Sequence, residues 1–251
     1  MEHIPKIISG LDDITPGSLT SIKNLYSAVF PHVVVVSKPE VAEMMKLYEN
    51  CQRMLCIAYA NEMADACIPH EIDPYEVCTA AATKPFGYLP FTPSLGVGGP
   101  CIPVNPYYLL SNSEFPLLRA ATEKMEVRPG MVGNRAMVNL YRRYPGRFGE
   151  RRPRVLVVGA GFKRGQSLTT GSPGVELMKM LLQSWEAHVE FADPLVEKAV
   201  IPFVPRLDEK TEWNKEGLER FDLIVVAVRQ EGLDFGVLEE LEGDVQVEMW
   251  N

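Results

Sequence analysis

An apolar run that ends in a glycine-rich turn constrains the fold more than any other stretch of this chain. The sequence VLVVGAG at 155–161 predicts a strand that is buried on both faces and enters a tight turn. A helix over 173–185 comes next, then strands at 189–192 and 223–228. Because alternating strands and helices build parallel sheets, residues 154–251 are predicted to form a small Rossmann-like α/β domain.

The glycine turn supports two interpretations. Gly159, Gly161 and Gly165 lie between a strand and a helix, where backbone N–H groups can receive a phosphate. A strict dinucleotide fingerprint places the third glycine one residue earlier. Asp193 is either a ribose-binding acid or a strand terminator, and Lys163 either meets phosphate charge or is a solvated lysine. The residues alone support nucleotide binding and a plain tight turn equally.

The stretch before the long central helix predicts a single β-α-β unit. An apolar run at 4–8 precedes a helix over 16–30, and four valines stand at 33–36. Consecutive β-branched residues without alternation are typical of a strand covered on both faces, which one β-α-β unit cannot provide. Residues 1–36 are therefore interpreted as the tail of an N-terminal domain whose remainder this chain lacks.

The middle of the chain, residues 37–143, is predicted to be helical. The sequence SKPE at 37–40 is a capping box. The helix that it opens meets no breaker before Cys67, which gives it a length of about 45 Å. A later helix is expected to be interrupted at Pro129, and a linker over 144–153 leads to the α/β domain.

Composition excludes several classes of partner. The net charge of −8 argues against a nucleic-acid or anionic membrane surface. No apolar run approaches the roughly 20 residues of a membrane span, and the first residues do not resemble a signal peptide. The five cysteines include no CxxC or Cys/His cluster. We expect free thiols, no metal site and a cytoplasmic location.

Three polar residues share one side of the long helix. Lys46, Asn50 and Asn61 fall within an arc of about 60° at 100° per residue, among apolar neighbours. Polar groups in such a setting need partners. They form either a ligand site or a hydrated seam at a domain interface, and spacing alone favours the seam.

A single cysteine stands in a rigid stretch, GGPCIPVNP, over 98–106. The glycines before Cys101 permit close approach of backbone or ligand, and Pro103 and Pro106 stiffen the chain after it. Such a setting suits a positioned nucleophile, or a cysteine that fills a corner in a proline-rich turn.

Several motifs together resemble the UDP-glucose/GDP-mannose dehydrogenase family, most closely its UDP-N-acetylhexosamine branch. They occur in the family's order: IPKII at 4–8, EMMKLYEN at 43–50, NE at 61–62, TKPFG at 83–87 and GVGGPCIP at 96–103. The resemblance implies a central helical domain, a nucleotide-sugar-binding C-terminal domain, and an N-terminal NAD-binding domain that is missing here. It also implies a homodimer through the helix near residues 38–67.

The resemblance further implies an oxidoreductase that converts the C6 alcohol of a UDP-sugar to a carboxylate with two NAD. By resemblance, Cys101 captures the aldehyde as a thiohemiacetal and then forms a thioester, Lys46 stabilises oxyanions, and Asn50 orients substrate or water. Asn105 stands at a further catalytic position. The implied substrate site comprises Phe91, Gly98, Gly99, Phe162, Lys163 and Lys84.

Three positions depart from the family pattern. Asn105 replaces an aspartate, and an amide cannot take a proton as a general base. Thr170 replaces an arginine that meets ligand charge, and Pro100 replaces a histidine. Two hypotheses remain: a divergent or partial nucleotide-sugar 6-dehydrogenase, or a non-catalytic dimeric relative that binds nucleotide sugars or acts as a scaffold. Without a GxGxxG for NAD, this chain alone is expected not to turn over.

Overall fold

The computed structural model describes residues 3–149, 151–242 and 244–250. The protein is a mixed α/β structure that divides into two compact units, Met1–Gln52 and Arg53–Asn251. No helix in the described ranges is long and apolar enough to cross a membrane. The domain boundaries drawn from the sequence stay predictions.

The first unit contains the predicted β-α-β unit. Strands β1 (Lys6–Ile8) and β2 (Val33–Val35) pair in parallel, and helix α1 (Ser18–Ser27) connects them. The helix begins two residues later than expected, after Gly17 in a left-handed conformation with φ of 86°. Val34 and Val35 point to opposite faces of β2 and are both exposed within this chain, so neither face of the small sheet is fully covered there.

Helix α2 (Pro39–Cys67) begins in the first unit and ends in the second. It confirms the long uninterrupted helix, whose 29 residues span about 45 Å. In its second half, Met54, Ala58, Asn61 and Ala64 are buried at intervals of three and four residues. This stripe is the face that a helix turns toward a core.

Three further helices complete the helical part of the second unit. Asp73 caps helix α3 (Pro74–Ala82), because its side chain accepts the backbone N–H of Tyr75 at 2.8 Å. Helix α4 (Asn105–Leu110) is short and comes directly after the cysteine turn. Helix α5 (Pro116–Arg143) has 28 residues.

The expected interruption at Pro129 is wrong, since α5 continues through it. An internal proline costs a helix about 3 kcal/mol, because it removes one hydrogen bond and crowds the preceding turn. Burial outweighs that cost here: Pro129 and Arg128 are buried, and Gly133, one turn later, contacts Leu177. Tertiary packing on both flanks therefore holds the helix together.

The C-terminal part is a four-stranded parallel sheet in the order β4-β3-β5-β6. Its strands are β3 (Arg154–Val158), β4 (His188–Ala192), β5 (Leu223–Val226) and β6 (Gln246–Met249). Its α-helices are α6 (Pro173–Ser184), α7 (Glu209–Glu212) and α8 (Lys215–Leu218). Short 3-10 turns occupy Ile68–His70, Lys198–Val200 and Phe235–Leu238.

The predicted burial of the central strands is confirmed. Val155 and Val157 pack on one side of the sheet in a cluster that includes Leu177 of α6. Leu156 and its alternate neighbours pack on the other side with Phe221. Both faces of β3 are thus covered, as its unbroken apolar sequence requires.

Candidate functional site

Cys101 lies in a tight turn that opens into helix α4. Its backbone carbonyl accepts the N–H groups of Val104 at 3.2 Å and Asn105 at 2.9 Å. The thiol is free and exposed. Asn105 is the first residue of α4. The turn therefore fixes the cysteine backbone while leaving its sulfur accessible to a ligand.

The two glycines before the cysteine pack against the C-terminal sheet domain. A Cβ atom added to Gly99 would lie 2.7 Å from Cε2 of Phe162, and one added to Gly98 would lie 2.8 Å from Cδ of Pro173. The Gly99 N–H donates to the Thr170 carbonyl at 3.2 Å. With φ of 94° as well, position 99 accepts only glycine without strain. Gly98, Gly99 and Phe162 are thus brought together beside Cys101.

A buried polar joint holds the segment that leads into this turn. Asn61 is fully buried; its Oδ1 accepts the Ser94 N–H at 2.7 Å, and its Nδ2 donates to Sδ of Met125 at 3.2 Å. Arg128 donates from Nε to the Ser94 carbonyl at 3.0 Å and pairs with Asp65. Asn61 is therefore an interior joint between α2, α5 and the segment before the glycines.

A cavity of about 350 Å³ lies beside the cysteine turn. Val97 and Pro103, which flank Cys101 in the sequence, line it together with residues from α2, α4, α5 and the start of α6. Its polar lining residues are Tyr107, Thr122, Glu126 and Glu176. Pro103 of the cysteine turn belongs to the lining of this cavity, whereas Cys101 itself does not.

A tyrosine and a glutamate form a short hydrogen bond in this cavity. The Tyr107 hydroxyl donates to Oε2 of Glu126 at 2.6 Å. This hydrogen bond raises the pKa of Tyr107 to about 12, because ionisation would place two negative charges side by side. Sequence reasoning missed the pair, since its members lie 19 residues apart on two helices. The only local hint was that Tyr107 shares a short helix with Asn105.

The glycine turn at 159–165 directs its N–H groups into the protein. The carboxylate of Asp193, which is fully buried, accepts the N–H of Ala160 at 2.8 Å and of Gly161 at 2.9 Å through Oδ2. Gln230 accepts the Gly165 N–H at 2.7 Å and donates to Asp193 at 3.3 Å. These N–H groups are not open to a phosphate, and Asp193 closes the turn rather than meeting a ribose.

The remaining substrate residues expected from the resemblance lie elsewhere in the second unit. Phe91 lines a different, largely apolar cavity of about 560 Å³ between α2 and α3. Lys163 is exposed just after the glycine turn. Lys84 is also exposed, with Nζ 4.7 Å from the ring centroid of Phe86. Among the described residues, the lining of the cavity beside Cys101 includes none of these three.

Two of the expected catalytic residues belong to the first unit. Lys46 is exposed, and its Nζ lies 3.1 Å from Oε2 of Glu49, one turn further along α2. Asn50 is buried, with 6% of its surface exposed. Both residues therefore lie on helix α2, as the spacing predicted. The ammonium group of Lys46 is exposed, and the amide of Asn50 is buried.

Comparison with known proteins relates this chain to nucleotide-sugar dehydrogenases. Residues 40–124 match the model of the UDP-glucose/GDP-mannose dehydrogenase family, central domain. A UDP-N-acetyl-D-mannosamine dehydrogenase of Methanococcus maripaludis is 30% identical over 192 residues, which are 75% of this chain and 42% of that protein. A UDP-N-acetyl-D-glucosamine 6-dehydrogenase of Pseudomonas aeruginosa is 38% identical over 112 residues, 43% of this chain and 26% of that protein. The chain spans less than half the length of these curated relatives.

Solved structures share the fold. The UDP-D-ManNAc dehydrogenase of Pyrococcus horikoshii superposes with a TM-score of 0.79 at 24% identity, covering 99% of this chain and 56% of that one. A UDP-glucose dehydrogenase of Pyrobaculum islandicum gives a TM-score of 0.75 at 24% identity, covering 98% and 55%. The predicted architecture, a helical central part followed by a small parallel sheet, is confirmed. Residues 40–124 therefore belong to the central domain of the UDP-glucose/GDP-mannose dehydrogenase family, as the ordered motifs of the chain indicated.

Proposed function

We propose that this chain supplies the central and C-terminal parts of a nucleotide-sugar 6-dehydrogenase that acts on a UDP-N-acetylhexosamine or on UDP-glucose. The names of the relatives support the substrate class. The observation that carries the proposal is the accessible thiol of Cys101 in a turn that Gly99 locks against Phe162. In this proposal, residues 1–36 are the tail of an NAD-binding domain and residues 37–143 form the helical central domain. A linker over 144–153 leads to the nucleotide-sugar-binding domain at 154–251.

The proposed chemistry centres on Cys101. Its sulfur, as thiolate, attacks the C6 aldehyde: an S–C bond forms, the carbonyl π electrons move to oxygen, and a proton then gives the thiohemiacetal. A thiol held in place makes this addition effectively intramolecular, so the aldehyde does not escape. Lys46 keeps the role of oxyanion stabiliser and Asn50 that of substrate orientation.

Hydrolysis ends the proposed reaction. Water adds to the thioester carbonyl, the C–S bond breaks, the thiolate of Cys101 leaves, and the uronate forms. An acid at position 105 would take the proton from the attacking water, but Asn105 carries an amide that does not titrate. The proton must therefore go to bulk water or to another carboxylate.

Two conversions in the proposed reaction, alcohol to aldehyde and thiohemiacetal to thioester, each release a hydride and a proton, and NAD would supply the hydride acceptor for both. The described residues do not fit it: the turn at 159–165 binds Asp193 and Gln230, and the β1-α1-β2 stretch holds no GxGxxG. We therefore expect the isolated chain not to form NADH. Absorbance at 340 nm with NAD and UDP-sugars checks this, and any steady NADH production would contradict it.

We also propose a homodimer through α2. Val41, Met44, Met45 and Tyr48 form an exposed apolar surface on its first turns, and Tyr48 is 70% exposed. Surfaces of this kind mark interfaces more often than free faces. Sedimentation velocity should show a dimer that the double substitution Met44→Glu, Tyr48→Glu shifts toward monomer. Glu43→Gln, an exposed position of the same helix, serves as the control.

A second candidate function is a non-catalytic binder of nucleotide sugars. It is favoured by Asn105 in place of a titratable acid and by Thr170 in place of an arginine. The Thr170 carbonyl also accepts the Gly99 N–H, so the backbone of Thr170 helps to close the turn. This candidate predicts UDP-sugar binding without any change at the cysteine.

Two measurements test the proposal. Calorimetric titration with UDP, UDP-N-acetylglucosamine and UDP-N-acetylmannosamine should show binding. Lys163→Ala should weaken that binding about tenfold, because it removes a charge-assisted contact with the diphosphate. The neighbouring Arg164→Ala is the control, because Arg164 faces Glu231 at 3.7 Å. Absence of any UDP-sugar binding would overturn both candidate functions.

The second measurement separates the two candidates. Bound UDP-sugar should slow alkylation of Cys101 by iodoacetamide, while Cys56 and Cys78 of the same chain report any general effect. Sugar binding that leaves the Cys101 rate unchanged would remove the thiol from the reaction and favour the non-catalytic binder.

A further inference from the structure

The cavity beside the cysteine turn has a mainly apolar wall with a few groups that accept hydrogen bonds. Its volume of about 350 Å³ lies at the small end of the range for ligand pockets, about 300–1,000 Å³. Apolar residues such as Val97, Met54 and Pro173 form most of the lining, and Glu126 and Glu176 contribute carboxylates. Apolar walls with a few placed polar groups are the usual design of a small-molecule site.

Tyr107 fixes the position of the Glu126 carboxylate. The hydroxyl on α4 donates to Oε2 at 2.6 Å and so orients a side chain that otherwise has several rotamers. A carboxylate offers about four acceptor positions, of which this bond uses one. The tyrosine oxygen can in addition accept a hydrogen bond. The pair therefore presents acceptors to a ligand that carries O–H or N–H donors.

The charge of the cavity selects among the parts of a UDP-sugar. Glu126 and Glu176 are both acidic, and Lys179 pairs with Glu176 at 2.8 Å, outside the lining. Carboxylates repel a diphosphate and form strong, charge-assisted hydrogen bonds with neutral hydroxyl donors. A polyhydroxylated ring fits this lining, and a phosphate does not.

An independent feature lies at the N-terminal end of α6. Ser172, between the lining residues Gly171 and Pro173, is 1% exposed, and its hydroxyl has no hydrogen-bond partner among the described residues. A buried hydroxyl without a partner is costly and is uncommon in native proteins. Ser172 is not itself a lining residue, so this hydroxyl marks an unsatisfied polar group behind the wall at Gly171 and Pro173 and is not a contact of the cavity.

We propose that Glu126, oriented by Tyr107, is a specificity-determining residue that accepts hydrogen bonds from hydroxyls of the sugar ring held in the cavity beside Cys101. The inference rests on the proposed function and adds the residue that reads the sugar. Glu126 is exposed in the free protein, so discrimination arises only when the bound ring covers it: an analogue that lacks the hydroxyl then leaves the acceptor without a partner. The diphosphate lies outside this cavity.

Calorimetry with two ligands tests the inference. Glu126→Gln should weaken binding of the UDP-N-acetylhexosamine that wild type prefers by about tenfold and leave UDP binding within about twofold. Glu123→Gln, one turn earlier on α5 and outside the cavity lining, should change neither. Tyr107→Phe should cost about threefold for the UDP-sugar, and the adjacent exposed Tyr108→Phe should cost nothing.

A deoxy-sugar series gives a result that a merely structural role would not produce. The UDP-sugar analogue that lacks the hydroxyl read by Glu126 should bind wild type and Glu126→Gln alike, while the other analogues keep the tenfold difference. Equal affinity of wild type and Glu126→Gln for every UDP-sugar would overturn the inference and leave the proposed function standing. Failure of wild type to bind any UDP-sugar would overturn both. If Glu126→Gln does not fold, the Tyr107→Phe comparison and the analogue series on wild type decide the question.

Discussion

Asp65 of α2 and Arg128 of α5 form an ion pair of 2.5 Å, in which the arginine side chain is 2% exposed and the carboxylate 25%. Burial lowers the pKa of Arg128 and Asp65 opposes that effect, so the carboxylate is what keeps a buried cation tolerable. The guanidinium also donates to the Ser94 carbonyl. Through Ser94, the ion pair steadies the segment that leads to the cysteine turn.

Asp65→Ala should therefore reduce the free energy of unfolding by about 3 kcal/mol, because it leaves a buried guanidinium without its counterion. Glu62→Ala, three residues earlier, breaks an exposed contact with Lys124 at 3.7 Å and should cost less than about 1 kcal/mol. Urea unfolding measures both. Equal losses in the two variants would show that the buried pair has no special weight.

Asp193→Asn should loosen the glycine turn. An amide oxygen accepts the N–H groups of Ala160 and Gly161 more weakly than a carboxylate, so we expect a loss of about 1–3 kcal/mol. Hydrogen exchange at these two amides should accelerate. Asp208→Asn, which alters an exposed helix cap, is the matched control and should leave exchange in the turn unchanged.

Gly99→Ala should destabilise the second unit for two reasons that can be separated. The added Cβ meets the Phe162 ring, and φ of 94° is strained for alanine. Gly146→Ala provides the strain alone, because φ is 81° there and nothing lies within 4 Å. We expect the free energy of unfolding to fall by about 1 kcal/mol in Gly146→Ala and by about 3 kcal/mol in Gly99→Ala, as measured by thermal unfolding.

Phe162→Ala should recover part of the loss in Gly99→Ala, since it removes the ring that the new Cβ contacts. The double variant should then resemble Phe162→Ala with only the backbone strain added. Simple additivity of the two single effects would contradict the contact.

Cys101 should be the first cysteine to react with iodoacetamide at neutral pH. It is exposed, whereas Cys51 and Cys67 are buried, and burial raises the pKa of Cys51 and so lowers its thiolate fraction. Peptide mass spectrometry against time gives the order. Earlier modification of either buried cysteine would contradict the accessibility of the turn.

Tyr107 should ionise near pH 12 and Glu126→Gln should bring its pKa back toward 10. The native state keeps this proton to higher pH than the unfolded chain does. The contribution to stability is therefore complete below pH 10 and is lost as pH rises toward 12. Carbon NMR of Cζ-labelled tyrosine measures the titration, and Tyr108 provides the internal reference. A Tyr107 resonance that titrates with Tyr108 would contradict the hydrogen bond.

The sheet was predictable because its central strands are written as unbroken apolar runs. Strand β6 was not, since Gln246–Met249 has a mixed pattern and becomes a strand through its pairing with β5. Helix α4 was hidden among prolines and glycines. The predicted interruption at Pro129 was wrong because local propensity alone makes a proline end a helix. Packing along the whole length of α5 decides whether the helix continues.

Within the site, glycine content indicated that something approaches positions 98 and 99, but no local pattern identifies Phe162, more than sixty residues later, as the group that does. The two interpretations of Asp193 differ by the partner of a single carboxylate, which only the folded chain reveals. The pair of Tyr107 and Glu126 depends on how α4 and α5 meet. Contacts of this kind depend on tertiary structure and have no periodic signature.

The closed glycine turn has a consequence for how the C-terminal sheet domain responds to nucleotides. With Asp193 as a resident anion, the turn already has its negative charge and does not need to recruit one from solution. Hydrogen bonds within the chain therefore order the turn before any ligand binds. Any change in unfolding temperature that a nucleotide produces must then arise from binding at other surfaces. The turn is equally ordered with and without a nucleotide.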